Sequence, residues 1–337
     1  MKVYELPAFG LENLRIAERP DPEPGPGQVL VAVRAASLNY RDLMMVRGHY
    51  DPRMPLPLVP LSDGVGEVVA VGEGVERVEI GQRVLGAFTQ GWIAGQATKA
   101  MRKTTLGGPL DGMLASHCLL SAEGVVPAPS HLSDAQAATL PCAGVTAWVA
   151  LMDDGGLAPG QTVLVQGTGG VSIFALQLAR LAGARVIATS SSDEKLARAR
   201  ELGAAATINY RSNEAWDKEV LSLTGGEGVD LVVEVGGAGT FAKALRCTRV
   251  GGRVATIGVL SGVKGEVDLI PILMSRLRVQ GVFVGSRSHL EALCAAVSEA
   301  KLEPVVDRVF PFAEAPAAFE HMASGAHFGK IVVEVSA

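Results

Sequence analysis

Cysteine, histidine, aromatic side chains and net charge are all scarce in this chain. It has 337 residues but only 4 cysteines and 6 histidines. Cys118, Cys142, Cys247 and Cys294 lie far apart, and no two share a CxxC spacing. That pattern suggests neither a disulfide framework nor a compact zinc module. The histidines form no closely spaced pair of the kind that holds a metal. The formal net charge is −5 and no basic run stands out, which argues against a nucleic-acid partner. No apolar run is expected to reach the length of a bilayer span, so no membrane partner is expected. Residues 1–10 lack the basic start and apolar middle of a signal peptide, leaving the cytoplasm as the default location. The remaining composition, 48% hydrophobic and 19% charged, is that of a folded chain long enough for two cores.

Two textures follow one another along the sequence. Up to about residue 125, short valine-rich runs at Val29–Val33, Gly66–Val71 and Arg83–Leu85 are separated by Gly and Pro turns. This reads as a small, irregular β-barrel or sandwich. From about Leu132 strands and helices alternate. Strands are expected at Thr162–Gln166, Arg185–Thr189, Thr207–Asn209, Asp230–Val235, Arg253–Ile257 and Val279–Val284. Such alternation implies right-handed βαβ units, an α/β fold with a doubly wound parallel sheet covered on both faces. A helix is expected to start at Ser191, with Glu194 completing a capping box and Gly203 stopping it. His289–Ala300 reads as helix, and Lys330–Val335 returns to strand, as though the tail completes the first domain.

The densest signal is Thr162–Val171, a β-branched strand that runs into Gly167, Thr168, Gly169, Gly170 and Val171 and then into an apolar helical pattern. Strand, tight turn and helix together present backbone N–H groups and a helix N-terminus to a pyrophosphate. An NAD site usually carries an acid at the end of the second strand, about 20 residues on, for the ribose 2′-hydroxyl. Here that strand ends in Thr189, Ser190, Ser191 and Ser192, and the first acid is Asp193. Hydroxyls can donate to a 2′-phosphate, and Lys195 can supply positive charge. The sequence therefore points to NADP(H) over NAD(H). A plainer reading has Ser191 only capping its helix and Lys195 only solvated.

With these residues in hand, the chain resembles the medium-chain dehydrogenase/reductase superfamily, on its zinc-lacking, quinone-oxidoreductase-like side. The resemblance runs through Ala36–Asp42, Pro60–Val68, Gly81–Val84, Leu140–Trp148, Ile208–Arg211 and His327–Val332. It implies a GroES-like β-barrel domain over residues 1–127, completed by about 302–337, a Rossmann domain over 128–301, and a cleft between them. In the zinc branch the catalytic metal draws on a Cys, a His–Glu pair and a later Cys. The matching positions here are Asn39, Ser62–Asp63 and Cys142, and the segment from Phe88 to Gly112 has no cysteine where a structural zinc lobe would lie. No metal is therefore expected.

The resemblance also implies roles. Thr146 would lie near the nicotinamide ribose and Gly169–Val171 at the pyrophosphate. Ser190, Lys195 and Tyr210 would meet the 2′-phosphate. Gly236 and Ile257 would end later strands at the nucleotide edge, Phe283 and Val284 would face the nicotinamide amide, and Phe328 and Lys330 would lie where the returning tail meets the cleft. Asn39 and Tyr50 are candidate donors to a substrate oxygen, with Asp42 orienting its neighbours. A turn-forming Asn39 and a surface Tyr50 are the plainer alternatives. Ser172 replaces the last glycine of the loop form common in quinone reductases. The expected activity is NADPH-dependent, zinc-independent hydride transfer to a small-molecule quinone or α,β-unsaturated carbonyl. An alcohol or aldehyde dehydrogenase and a non-enzymatic NADP(H)-binding protein are the alternatives. A homodimer through Leu260–Leu277 is expected.

Overall fold

Hydrophobic patterning separates the chain into two compact units in the computed structural model, which describes residues 1–335. One unit is Met1–Val145 with Val284–Ala337, and the other is Thr146–Phe283. The boundaries lie at 145 and 284, where the sequence suggested 127 and 301. The helix Arg287–Ala300, expected in the nucleotide-binding half, belongs to the first unit. Its own chemistry holds it there: Arg287 donates to the Glu123 carboxylate and the Arg287 N–H meets the Trp92 carbonyl, while Glu291 pairs with Arg77.

The first unit is built on a seven-stranded sheet. Its main path runs Val306–Pro311, Lys330–Glu334, Gln28–Leu38, Asp63–Val71, Arg83–Gly86 and Val125–Pro127, and His117–Ser121 also pairs with Gln28–Leu38. Alternation along Gln28–Val33 buries Val29, Val31 and Val33 in the core with Leu43, Leu61, Phe319 and Ile331. Each such fully buried aliphatic contributes roughly 1.5–3 kcal/mol. Register then fixes the functional end of the sheet. Leu38 pairs with Ile331 and Ser37 with Asp63. Residues 39, 62–63 and 330 therefore come together where three strands end.

The second unit is a six-stranded parallel sheet in the order Ala206–Asn209, Arg185–Ser190, Thr162–Gln166, Val229–Glu234, Thr248–Thr256 and Arg278–Gly281. This is the doubly wound dinucleotide-binding order, with the switch point beside the first strand. The inner strands are buried, as two-sided coverage requires. The last strand departs from that expectation: all four of its residues are exposed. It is an edge strand, with one side unpaired. It also ends at Gly281, so Phe283 and Val284 follow the strand and do not finish it, and Val284 has φ 50°. Ile257 likewise lies one residue beyond its strand.

The helical run Asp134–Asp153 is, by length and composition, apolar enough to cross a membrane, against the expectation that no run would be. It is mostly buried inside the protein, and is apolar for that reason. Two π-helical turns interrupt it, Leu140–Gly144 and Val149–Asp153.

Candidate active site

The glycine turn of the second unit forms as its residue types dictate. Thr162–Gln166 ends, Gly167 takes φ 73°, and the helix Gly170–Leu181 begins after Gly169. An L side chain would be strained at Gly167. No side chain caps this helix, so its first N–H groups are left for another acceptor. The Nε2 of Gln166, at the strand end, is buried without a hydrogen-bond partner. Such an N-terminus with unmet donors fits an anionic nucleotide phosphate. Thr168 is buried in the turn and Val171 is half-buried. Ser172 Oγ donates to the Gln166 carbonyl at 2.6 Å, tying helix to strand where a glycine would only allow close approach.

Ser190, Lys195 and Tyr210 gather at one edge of this sheet. Asn209 pairs with Ser190, and the Tyr210 N–H meets the Ser190 carbonyl at 3.0 Å. The helix Asp193–Glu201 is capped by Ser192, whose Oγ accepts from the Lys195 N–H, and not by Ser191. The cap shifts because Ser190 Oγ accepts the Ser192 N–H and the helix starts one residue later. Ser191 is left half-buried beside Ser190. The Tyr210 ring is 41% exposed. Asp193, the nearest acid, accepts from Asn209 Nδ2 at 2.9 Å.

Elsewhere in the second unit, Thr146 is buried in its first helical turn. The turn at Gly236 is organised by a residue the sequence reading missed. Glu234, fully buried, accepts from the N–H groups of Gly236 and Gly237 and from the Thr240 hydroxyl. Burial raises the pKa of its carboxyl, and these donors pull it back. A side chain at Gly236 would collide with Thr240 Oγ1, 2.2 Å from the position of its Cβ. An acid at the end of an apolar strand was the available signal.

In the first unit two of the three predicted catalytic residues, Asn39 and Asp42, meet in a buried polar cluster. Asn39 precedes the helix Tyr40–Val46, and its N–H donates to Asp42 Oδ2 at 2.8 Å. Asp42 also takes Arg41 Nη1 at 3.3 Å. Complete burial raises the Asp42 pKa to about 6, with Arg41 opposing the rise. Asn39 Oδ1 accepts from Lys330 Nζ at 2.6 Å, and Asn39 Nδ2 faces Ser62 Oγ at 3.5 Å. Ser62 Oγ donates to Asp63 Oδ1 at 2.7 Å, and Asp63 Oδ2 accepts the Cys142 N–H at 3.0 Å. That last bond lands on the first π-helical turn, a feature that recurs at functional sites. Burial, with Asp63 adding to it, drives the Cys142 thiol well above the ordinary cysteine range. It stays a neutral thiol.

Tyr50 stands apart from this cluster and is 43% exposed, with the Arg41 guanidinium 5.1 Å from its ring centroid. Arg41 is also 5.2 Å from the Phe88 ring and donates to the Leu106 carbonyl. Phe328 is buried, its N–H on Asp307. Lys330, expected beside the cofactor, has its ammonium among the catalytic candidates.

The four positions that would carry a catalytic zinc thus hold a carboxamide, a hydroxyl, a carboxylate and a thiol, with an ammonium beside them. Zinc requires three protein ligands in such a site and favours thiolate and imidazole. The Lys330 ammonium on Asn39 Oδ1 adds a positive charge that disfavours a second cation there. Among the described residues no group of three or more His, Cys, Asp or Glu side chains is placed to hold a metal. The residues do not fit zinc.

Comparison with known proteins places this arrangement. Residues 25–130 match the alcohol dehydrogenase GroES-like domain and 170–299 the zinc-binding dehydrogenase domain. A zinc-type alcohol dehydrogenase-like protein of Schizosaccharomyces pombe is 42% identical over 97% of this chain and 96% of its own length. A quinone oxidoreductase-like protein 2 homolog of Nematostella vectensis is 31% identical over 96% and 84%. The crystal structure of a putative alcohol dehydrogenase from Sinorhizobium meliloti superposes with a TM-score of 0.93 at 41% identity, covering 99% of this chain and 98% of that one. That of an NAD-dependent alcohol dehydrogenase gives 0.92 at 38%, covering all of both chains. A mycobacterial protein complexed with NADPH gives 0.83 at 27%, covering 99% of each. The reading as a nucleotide-binding protein without catalysis is dropped. The chain belongs to the medium-chain dehydrogenase/reductase superfamily and is an NAD(P)H-dependent oxidoreductase.

Proposed function

We propose that this enzyme transfers hydride from NADPH, without zinc, to a quinone or an α,β-unsaturated carbonyl. The observation that carries the reading is the side-chain set at residues 39, 62, 63 and 142, in which the Asn39 carboxamide can donate to a substrate oxygen while Ser62 and Cys142 are tied to the Asp63 carboxylate. A bound nicotinamide would supply the hydride. The chain's own task is then to orient the acceptor, exclude water and offer a donor to the oxygen on which charge collects. A conjugated acceptor carries that charge through its own π-system, so no Lewis acid is needed. Asn39 and Tyr50 are the proposed donors, and Asp42 holds Asn39 through its backbone N–H.

Preference for the phosphorylated cofactor rests on the hydroxyls of Ser190 and Ser191 and on Lys195 at the end of the second strand. The nearest acid, Asp193, is engaged with Asn209. A homodimer belongs to the same reading. Leu260, Val263, Leu269, Ile270, Leu273 and Met274 are all more than half exposed, next to the unpaired edge strand Arg278–Gly281.

The test is steady-state NADPH oxidation against quinone and enone panels in the presence of a chelator. Turnover with NADPH at least ~10-fold more efficient than with NADH is expected, and Lys195→Ala should erase most of that preference, since a charge-assisted phosphate contact contributes about 1.5–3 kcal/mol. Absence of turnover with every acceptor, or strict dependence on added zinc, removes the reading and favours an alcohol dehydrogenase.

A further inference from the structure

The two proposed donors, Asn39 and Tyr50, stand apart, yet one ion pair lies between them. The Asn39 N–H donates to Asp42 Oδ2, and Asp42 Oδ1 accepts from Arg41 Nη1 at 3.3 Å. The Arg41 guanidinium in turn lies over the Tyr50 ring, 5.1 Å from its centroid. The Arg41 side chain is only 9% exposed. A buried guanidinium is strongly disfavoured unless it is paired and hydrogen-bonded, and one carboxylate leaves most of its fork unmet. Three successive carbonyls meet the rest. Nη1 also donates to Leu106 at 3.0 Å, and Nη2 donates to Gly107 at 3.5 Å and to Gly108 at 3.4 Å. Gly107 and Gly108 take φ 65° and 126°, turns that let neighbouring carbonyls face one point. Nε is buried without a partner, so the fork is held at its two outer nitrogens.

Tyr50 has little else to hold it. Its N–H meets the Met44 carbonyl at 3.3 Å. Among the described residues its hydroxyl makes no hydrogen bond, and its ring contact is with Arg41. A half-exposed ring on a free χ1 exchanges between rotamers quickly. A cation fixed within roughly 6 Å of the ring centroid opposes that motion. Arginine suits the task, because its plane can lie on a ring while its edge serves several acceptors, which an ammonium cannot do.

We infer that Arg41 is a positioning residue: its guanidinium, pinned by Asp42 and the carbonyls of residues 106–108, is the platform that sets the Tyr50 ring, so that Asn39 and Tyr50 are held from the two ends of one ion pair. The assignment rests on the reading of Tyr50 as a donor. A role in stability alone would leave the orientation of Tyr50 out of account.

The experiment pairs a double-mutant cycle with a readout that needs no turnover. In the cycle, Arg41→Met is expected to lower kcat by ~10-fold or more with KM for NADPH within about twofold, and to add less than about twofold in a Tyr50→Phe background. Equal losses in both backgrounds overturn the inference, as does a Tyr50→Phe enzyme with wild-type kcat. For the second readout the 4 tyrosines are replaced by 3-fluorotyrosine, and the Tyr50 fluorine resonance is assigned by its absence in Tyr50→Phe. In the wild type it should stand apart from that of the unfolded chain. Arg41→Met should move it toward that position and leave Tyr4 and Tyr210 in place. A wild-type resonance already at the unfolded position, or one that the variant does not move, overturns the inference. Arg41→Lys keeps the charge without the planar fork and is read in the same way, with the same losses expected and wild-type behaviour overturning the inference. If neither variant folds, the wild-type resonance decides. Should the wild type reduce no acceptor at all, the hydride-transfer reading falls, and the fluorine readout alone decides whether Arg41 sets the ring.

Discussion

Asp42 shows how far one side chain's chemistry depends on its neighbours. Its carboxylate accepts from the Asn39 N–H and from Arg41, yet complete burial still lifts its pKa from 3.8 to about 6. A carboxyl with a raised folded-state pKa binds its proton more tightly when folded. Its contribution to stability is therefore fully present below the unfolded value and declines as pH rises through the folded one. Between about pH 4 and about pH 6 wild-type stability should carry a falling term from this group, against terms from other carboxylates that rise. Asp42→Asn removes it. Urea unfolding across that range should show the variant gaining on the wild type as pH rises. Parallel curves for the two proteins would show that Asp42 does not titrate there.

Turns, caps and strand ends decide what the elements do. The glycine motif could be read from sequence because its constraint is local: a strand must reverse within a few residues, and φ 73° at Gly167 is a conformation other residues rarely adopt. There is open space around the missing Cβ of Gly167. Gly167→Ala should thus cost only about 1–2 kcal/mol of stability, from backbone strain alone. Its larger effect should be on nucleotide affinity, because the turn aims the helix N-terminus. Calorimetric titration should show NADPH binding weakened by ~10-fold or more while the unfolding midpoint moves by only a few degrees. Unchanged affinity would mean that the turn does not meet the phosphate. The cap of the following βα unit was misread by one residue, Ser191 for Ser192. Three serines in a row carry no local signal that separates them. The bond from the Ser192 N–H to Ser190 Oγ makes the choice.

At the scale of the molecule, the exposed apolar segment Val259–Met274 and the bare edge strand Arg278–Gly281 are a liability for a lone chain. Pairing with a second copy would cover both. Leu273→Glu combined with Met274→Glu should shift the mass measured by light scattering from dimer to monomer. A wild-type protein that is already monomeric at micromolar concentration would remove the dimer from the reading.

Sequence by itself determined the fold class, the order of strands and helices, the phosphate turn and the poverty of metal ligands. Each of these is a local or compositional property: the period of apolar residues, a glycine where φ is positive, a residue type present or missing at one position. Only the tertiary structure decided where Lys330 points. Its neighbours along the chain are His327, Phe328, Gly329 and the strand that follows, and nothing among them marks a catalytic partner. Antiparallel pairing of Ile331 with Leu38, and of Ser37 with Asp63, carries its ammonium to Asn39 across 291 residues. The buried tie from Asp63 to the Cys142 N–H and the Glu234 bracket around Gly236 were equally hidden. Contacts of that kind are set by strand register and core packing. Register is a property of the whole sheet, because a one-residue slip would turn every buried valine outward.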